Sequence, residues 1–129
     1  MAYYYSLRGW LEVSRDDFKE VTEKLLQLCQ SYPEGSQSEL YMKGWHWVDD
    51  QINWTRYIFY GADVQAEGLD LFETVLQTIT AMQLHVDGYF HAQGEDGESN
   101  YVYKLADDVC SVNEAPVLID ATDYAFPAR

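Results

Sequence analysis

Positive charge is what this sequence has least of: 8 Lys and Arg stand against 22 Asp and Glu in 129 residues, for a formal net charge of -14. A field of that sign repels phosphate backbones and anionic lipid and attracts basic macromolecules. Neither direct nucleic-acid binding nor membrane attachment is therefore expected. The imbalance is uneven, with 9 acidic and 6 basic residues through Tyr60 and 13 against 2 beyond it. Solubility alone would also account for it.

Cysteine is nearly as scarce. Cys29 and Cys110 are too few for a disulfide framework, neither sits in a CxxC spacing, and Cys29 falls on the apolar stripe of a predicted helix, where a thiol packs as a small hydrophobe. No apolar run approaches the ~18 residues of a membrane span, and "MAYYYSLRGW" lacks the basic and apolar regions of a signal peptide, so the expected compartment is the cytoplasm. Phosphate-cradling GxxxxGK and GxGxxG patterns are missing, and no Ser, Cys or Thr lies in a nucleophile elbow. Asp16-Asp17, Asp49-Asp50 and Asp107-Asp108 fall at helix starts or turns, where paired carboxylates cap helices or face water rather than perform acid–base work. The chain is expected not to be an enzyme and to need no cofactor.

What is present is apolar and aromatic material: 47% hydrophobic and 16% aromatic residues. That supply can offset chain entropy, and the length suits one domain spanning residues 1–129 with a single core. "AYYYSLRGWLEV" alternates with Tyr3, Tyr5, Leu7, Leu11 and Val13 on one face and Tyr4, Ser6, Arg8, Trp10 and Glu12 on the other, the pattern of a strand. Gly9 in its middle marks a bulge or a close approach of another segment. Ser14 and Asp17 resemble a capping box, and Phe18, Val21, Leu25, Leu28 and Tyr32 recur at helical spacing, predicting a helix from about Arg15 to Tyr32. Pro33 and "PEGSQSE" then read as a turn-like stretch.

"LYMKGWHWV" and "NWTRYIFYGADV", joined by "DDQ", read as a strand hairpin, and "LDLFETVLQTITAMQ" as a second helix with Leu69, Phe72, Leu76, Ile79 and Met82 on one face. "LHVDGYFHAQ" and "NYVYKLADDVCSV" read as two more strands linked by a tight acidic loop, before a tail, "PVLIDATDYAFPAR", with one short apolar run. The order β-α-β-β-α-β-β predicts an α+β fold: an antiparallel sheet with two helices on one face, a split βαβ or ferredoxin-like plan.

His46, His85 and His91 are the only histidines, and a metal site could be drawn from His85, Asp87 and His91 on one strand face. Side chains two apart on a strand stand about 7 Å from each other, whereas zinc ligands converge from several segments, so exposed strand histidines are the simpler reading and no metal is expected. The loop "GEDGESN" has the acids of a calcium loop without its spacing. It reads first as a solvated hairpin turn, with an electrostatic contact for a basic partner as the alternative. Eleven tyrosines and four tryptophans exceed what a two-helix, one-sheet core needs. Such side chains anchor protein interfaces, though they also cover open sheet faces and pack dimers.

"YSLRGWLEV", "GWHWV" and "VDGYFHAQGEDGESNYVYKL" together resemble the small immunity proteins of bacterial polymorphic-toxin and contact-dependent inhibition systems, most closely the immunity protein 7 family. Gly9, Trp10, Gly88, Glu95, Asp96 and Asn100 stand at the positions that carry the likeness. The resemblance implies a cytosolic, non-catalytic protein that binds and neutralises one cognate toxin C-terminal domain, often a nuclease with a basic substrate face. On that reading Glu95, Asp96 and Glu98 form a rim that accelerates encounter, and exposed Trp45, Trp47, Trp54 or Tyr60 supply central anchors. The competing class is a homodimeric, small-molecule-binding regulatory module, because fold alone does not separate the two.

Overall fold

The alternation of β1 (Tyr5–Ser14) between apolar and polar residues decides the architecture, because this strand lies inside the sheet. The computed structural model describes residues 2–50 and 54–115. Along the chain β1 is followed by α1 (Phe18–Gln30), α2 (Gln37–Met42), β2 (Trp45–Trp47), β3 (Thr55–Val64), α3 (Ala66–Ala81), β4 (Asp87–Gly94), β5 (Asn100–Ala106) and β6 (Val109–Glu114). The fold is α+β. Its six strands run in the order β2-β3-β1-β4-β5-β6, with every neighbouring pair antiparallel.

Strand parity sorts the side chains. Leu7, Leu11 and Val13 of β1, Ile58, Tyr60 and Val64 of β3, Phe90 and Ala92 of β4, and Tyr103 and Leu105 of β5 all point to one buried side. There they meet Phe18, Val21 and Leu25 of α1 and Leu69, Phe72, Val75, Leu76 and Ile79 of α3 in a single core. Phe72 is its hub: Trp45 stacks on it at 5.5 Å, and Tyr60, Phe90 and Tyr103 approach at 5.1, 4.9 and 5.4 Å. Each such pair adds about 0.5–1.5 kcal/mol beyond the area it buries.

Gly9 is a point of close approach, opposite Tyr60 on one side and Phe90 on the other. A Cβ there would lie 2.0 Å from the Tyr89 carbonyl oxygen and 2.5 Å from the Phe90 Cα.

Three expectations are corrected. "PEGSQSE" is not all turn: Ser36 caps α2, its hydroxyl accepting from the Glu39 N–H at 3.2 Å, while the Glu39 carboxylate accepts from the Gly35 N–H at 3.2 Å. This helix takes Leu40, Tyr41 and Met42 out of the expected strand and leaves Trp45–Trp47 as β2. "NYVYKLADDVCSV" is two strands, because Asp107 and Asp108 both adopt left-handed backbone (φ 54° and 58°) and reverse the chain, as two-residue hairpin turns require. Among the described residues the element order therefore has three helices and six strands rather than two and five. Ser14 and Asp17 do meet, hydroxyl to carboxylate at 2.8 Å, but Asp17 itself is the cap residue of α1 and its side chain bonds no helix N–H. The "DDQ" turn at residues 49–51 is only partly within the described residues, which omit 51–53, and the tail from residue 116 onward is outside them.

Candidate protein-docking face

The helices cover one side of the sheet, and the other side presents the opposite parity of every strand. In register across it stand His46, Phe59, Trp10, Tyr89, Lys104 and Ser111, one from each strand. The first four are aromatic rings in a row: His46 stacks on Phe59 at 6.0 Å, and Trp10 lies 5.7 Å from Tyr89. Tyr57 extends the patch along β3, 6.1 Å from Phe59. Trp10, Tyr57 and Phe59 keep 37, 44 and 41% of their surface exposed. Cross-strand aromatic pairs stabilise a sheet by about 0.2–1 kcal/mol each, which accounts for their pairing and not for so much apolar surface left in water.

Carboxylates stand at two ends of this face. Glu12, opposite Tyr57 and Asp87 in register, accepts from the Trp10 indole N–H at 3.3 Å. Toward the other end of the face, Tyr4, Ser6, Asp63 and Glu95 line an open hollow of about 340 Å³. The Ser6 hydroxyl donates to Asp63 at 2.9 Å and orients that carboxylate. The hollow has the charge and size to receive an Arg or Lys head group. The basic Arg8 between these zones is engaged: its guanidinium donates to Gln93 at 3.2 Å and stands 3.5 Å from His91 Nδ1.

The acidic loop is a built turn. Gly97 N–H donates to the Gly94 carbonyl at 2.8 Å, Gly94 N–H to the Ser99 carbonyl at 2.9 Å, and the Asn100 amide to the Gly97 carbonyl at 2.7 Å. The Asp96 carboxylate accepts from the Glu98 N–H at 2.9 Å and from the Tyr3 hydroxyl, and Glu95 N–H donates to the Tyr4 carbonyl at 2.9 Å. The loop is thus strapped to the segment before β1, and Gly94 makes room for it, since a Cβ there would meet the Tyr3 hydroxyl at 2.0 Å. Asp96 has a holding role that composition did not reveal; Glu95 is exposed and its carboxylate also accepts from the Tyr4 N–H at 3.4 Å, while Glu98 is exposed.

The Tyr3 hydrogen bond, with the Glu98 N–H behind it, keeps the Asp96 carboxyl below its usual 3.8. Because the folded value is depressed, the stabilisation is present above 3.8 and is lost as pH falls through the lower folded value. Tyr3→Phe is expected to move the Asp96 titration, followed by carboxyl NMR, up toward 3.8 and to loosen the loop without unfolding the chain. An unmoved titration would dissociate the two residues.

Of the expected anchors, Trp45 and Tyr60 are corrected: they pair with each other in register on the inward side and are buried in the core. The Tyr60 hydroxyl donates to the Tyr41 carbonyl at 2.8 Å, and burial pushes its pKa well above the usual 10. Trp47 is half-buried against the same core, its indole N–H on Asp49 at 3.2 Å. Trp54 is 77% exposed just before β3, away from the central aromatic row. His85, Asp87 and His91 do not converge either. His85 precedes β4 with φ 56°, its ring 3.0 Å from Asp108, while His91 is buried beside Arg8. Among the described residues no three His, Cys, Asp or Glu side chains form a metal cluster. Tyr57, Phe59 and Tyr89 are the interface candidates that sequence reasoning missed. The signal was available in "RYIFY", where buried Ile58 and Tyr60 force Tyr57 and Phe59 outward.

No protein-family model matches the chain, and no curated protein or solved structure matches it. Among the described residues no helix is long and apolar enough to cross a membrane.

Proposed function

We propose that this chain is a cytoplasmic, non-catalytic immunity protein that binds and neutralises a cognate toxin domain with a basic surface. The observation that carries the reading is the aromatic row Trp10, Phe59, Tyr57 and Tyr89, which no described element covers, with Glu12 and Asp87 beside it and Asp63 and Glu95 farther along the same face. An apolar centre with a charged rim is the anatomy of a protein interface, and a net charge of -14 selects a basic partner. We read β1-α1-β2-β3-α3-β4 as a split βαβ, ferredoxin-like core that β5 and β6 widen, so that its open side is broad enough to dock a domain. A second copy is the competing occupant of the face, as in a homodimeric ligand-binding module. Two copies each at -14 repel, which disfavours it.

The test is coexpression with the toxin domain encoded immediately upstream, scored by survival and by a copurifying complex, with light scattering on the free protein. Rescue, a complex and a monomeric free state are expected; no rescue with a folded, stable dimer would move the assignment to the homodimer. Within the complex, Glu95→Lys with Glu98→Lys is expected to slow association about tenfold at low salt and to have little effect at ~0.5 M salt, where such charges are screened. Asp96 is left intact in that variant because it holds the turn. An on-rate unchanged at low salt would remove the loop from the rim.

A further inference from the structure

The helix-covered side carries a second concavity, separate from the docking face. On β6, Val112 lies on the inward side opposite Tyr103 and is 42% exposed. Between this strand, β5 and the first turns of α3 lies an open hollow of about 310 Å³. Tyr5 and Tyr101 line it with aromatic rings beside the buried Tyr103, and Asp70 and Glu73, three apart and so on one face of α3, supply two carboxylates. The Tyr5 and Tyr101 rings stand 6.1 Å apart, tilted by 45°. The Tyr103 hydroxyl donates to Glu73 at 3.2 Å, and burial, with the Glu73 charge beside it, pushes the Tyr103 pKa far above 10, so it remains a donor at physiological pH and holds that carboxylate in place. No Lys or Arg ion-pairs with Asp70 or Glu73 among the described residues.

We propose that this hollow binds a small organic cation, an ammonium or guanidinium head group. Ring faces attract a cation through their quadrupoles, and two carboxylates without a basic counterpart supply its charge partner. An anion would be repelled, and a purely apolar ligand would strip water from the carboxylates without replacing it. The volume is at the lower end of the range of ligand pockets, and the lining is of mixed polar and apolar character. The site depends on neither the partner nor the function proposed above.

The test is an NMR titration of the free, 15N-labelled protein at fixed ionic strength with three probes: choline, N-acetyl-arginine methylamide, and 3,3-dimethylbutan-1-ol, the neutral isostere of choline. Saturable shifts at Glu73, Tyr101 and Val112 are expected from a cation, with the isostere at least tenfold weaker and Asp70→Asn with Glu73→Gln weakening the cation at least tenfold. A preference for choline points to a free quaternary ammonium compound, and a preference for the arginine derivative to a side chain presented by another protein. Should the double variant not fold, Asp70→Asn alone, at an exposed position, serves the same purpose with a severalfold loss. The proposal is overturned if neither cation gives saturable shifts at the hollow, if the shifts spread evenly over the acidic surface, if the isostere binds equally, or if the variants bind undiminished.

Discussion

Gly9→Ala is expected to abolish the fold. The added methyl would lie 2.0 Å from the Tyr89 carbonyl oxygen and 2.5 Å from the Phe90 Cα, both backbone atoms of the neighbouring strand, so no side-chain rotation relieves the clash. Separating β1 from β4 to make room breaks the ladder through the middle of the sheet and opens the core beneath Phe90. The cost is expected to exceed about 4 kcal/mol, a large part of the roughly 5–15 kcal/mol that holds a domain of this size folded. Gly61→Ala is the matched control: the residue lies in β3 opposite Arg8, and nothing stands within 4 Å of its added Cβ. Circular dichroism with urea unfolding should show a cooperative transition near the wild-type midpoint for Gly61→Ala and none for Gly9→Ala. A Gly9→Ala protein with near-native stability would mean that β1 and β4 are not packed as described.

Trp10→Ala with Phe59→Ala is expected to remove most of the affinity for the partner while leaving the fold intact. These two residues face each other in register at the centre of the uncovered side, and both project away from the core. Losing their cross-strand contact costs stability about 1 kcal/mol or less. In an interface with an aromatic centre, truncating one anchor costs about 2 kcal/mol or more, so the pair should weaken binding by at least about a hundredfold. Most of the loss is expected in the off-rate, in contrast with the on-rate effect of reversing charge in the loop.

Much of the scaffold was legible because it rests on periodicity. The alternation of β1 separated Leu7, Leu11 and Val13 from Arg8, Trp10 and Glu12 on the correct sides, and the stripe Leu69, Phe72, Leu76 and Ile79 marked α3. The short helix α2 was less visible because Trp45 and Trp47 lent a strand-like composition to its surroundings, although Ser36 and Glu39 have the spacing of a capping box. Asp107-Asp108 read as a helix start or turn, yet the segment around it read as one strand, because aspartate tolerates left-handed backbone without announcing a two-residue reversal as glycine would. In the candidate site, the loop's acidity could be read but not the tie between Asp96 and Tyr3, 93 residues apart. Trp45 and Tyr60 were misplaced because aromatic type was weighed ahead of strand parity. The register that pairs them on the inward side turns His46 and Phe59 outward.

The most direct measurement is the affinity of the proposed toxin partner for two variants that truncate exposed apolar side chains on opposite sides of the sheet. One is Trp10→Ala with Phe59→Ala; the other is Leu26→Ala with Leu40→Ala, which removes exposed side chains from α1 and α2. If the uncovered face is the docking surface, titration calorimetry will show the first weakened by at least about a hundredfold and the second within about threefold of wild type. The reverse order, or two equal small effects, would contradict it.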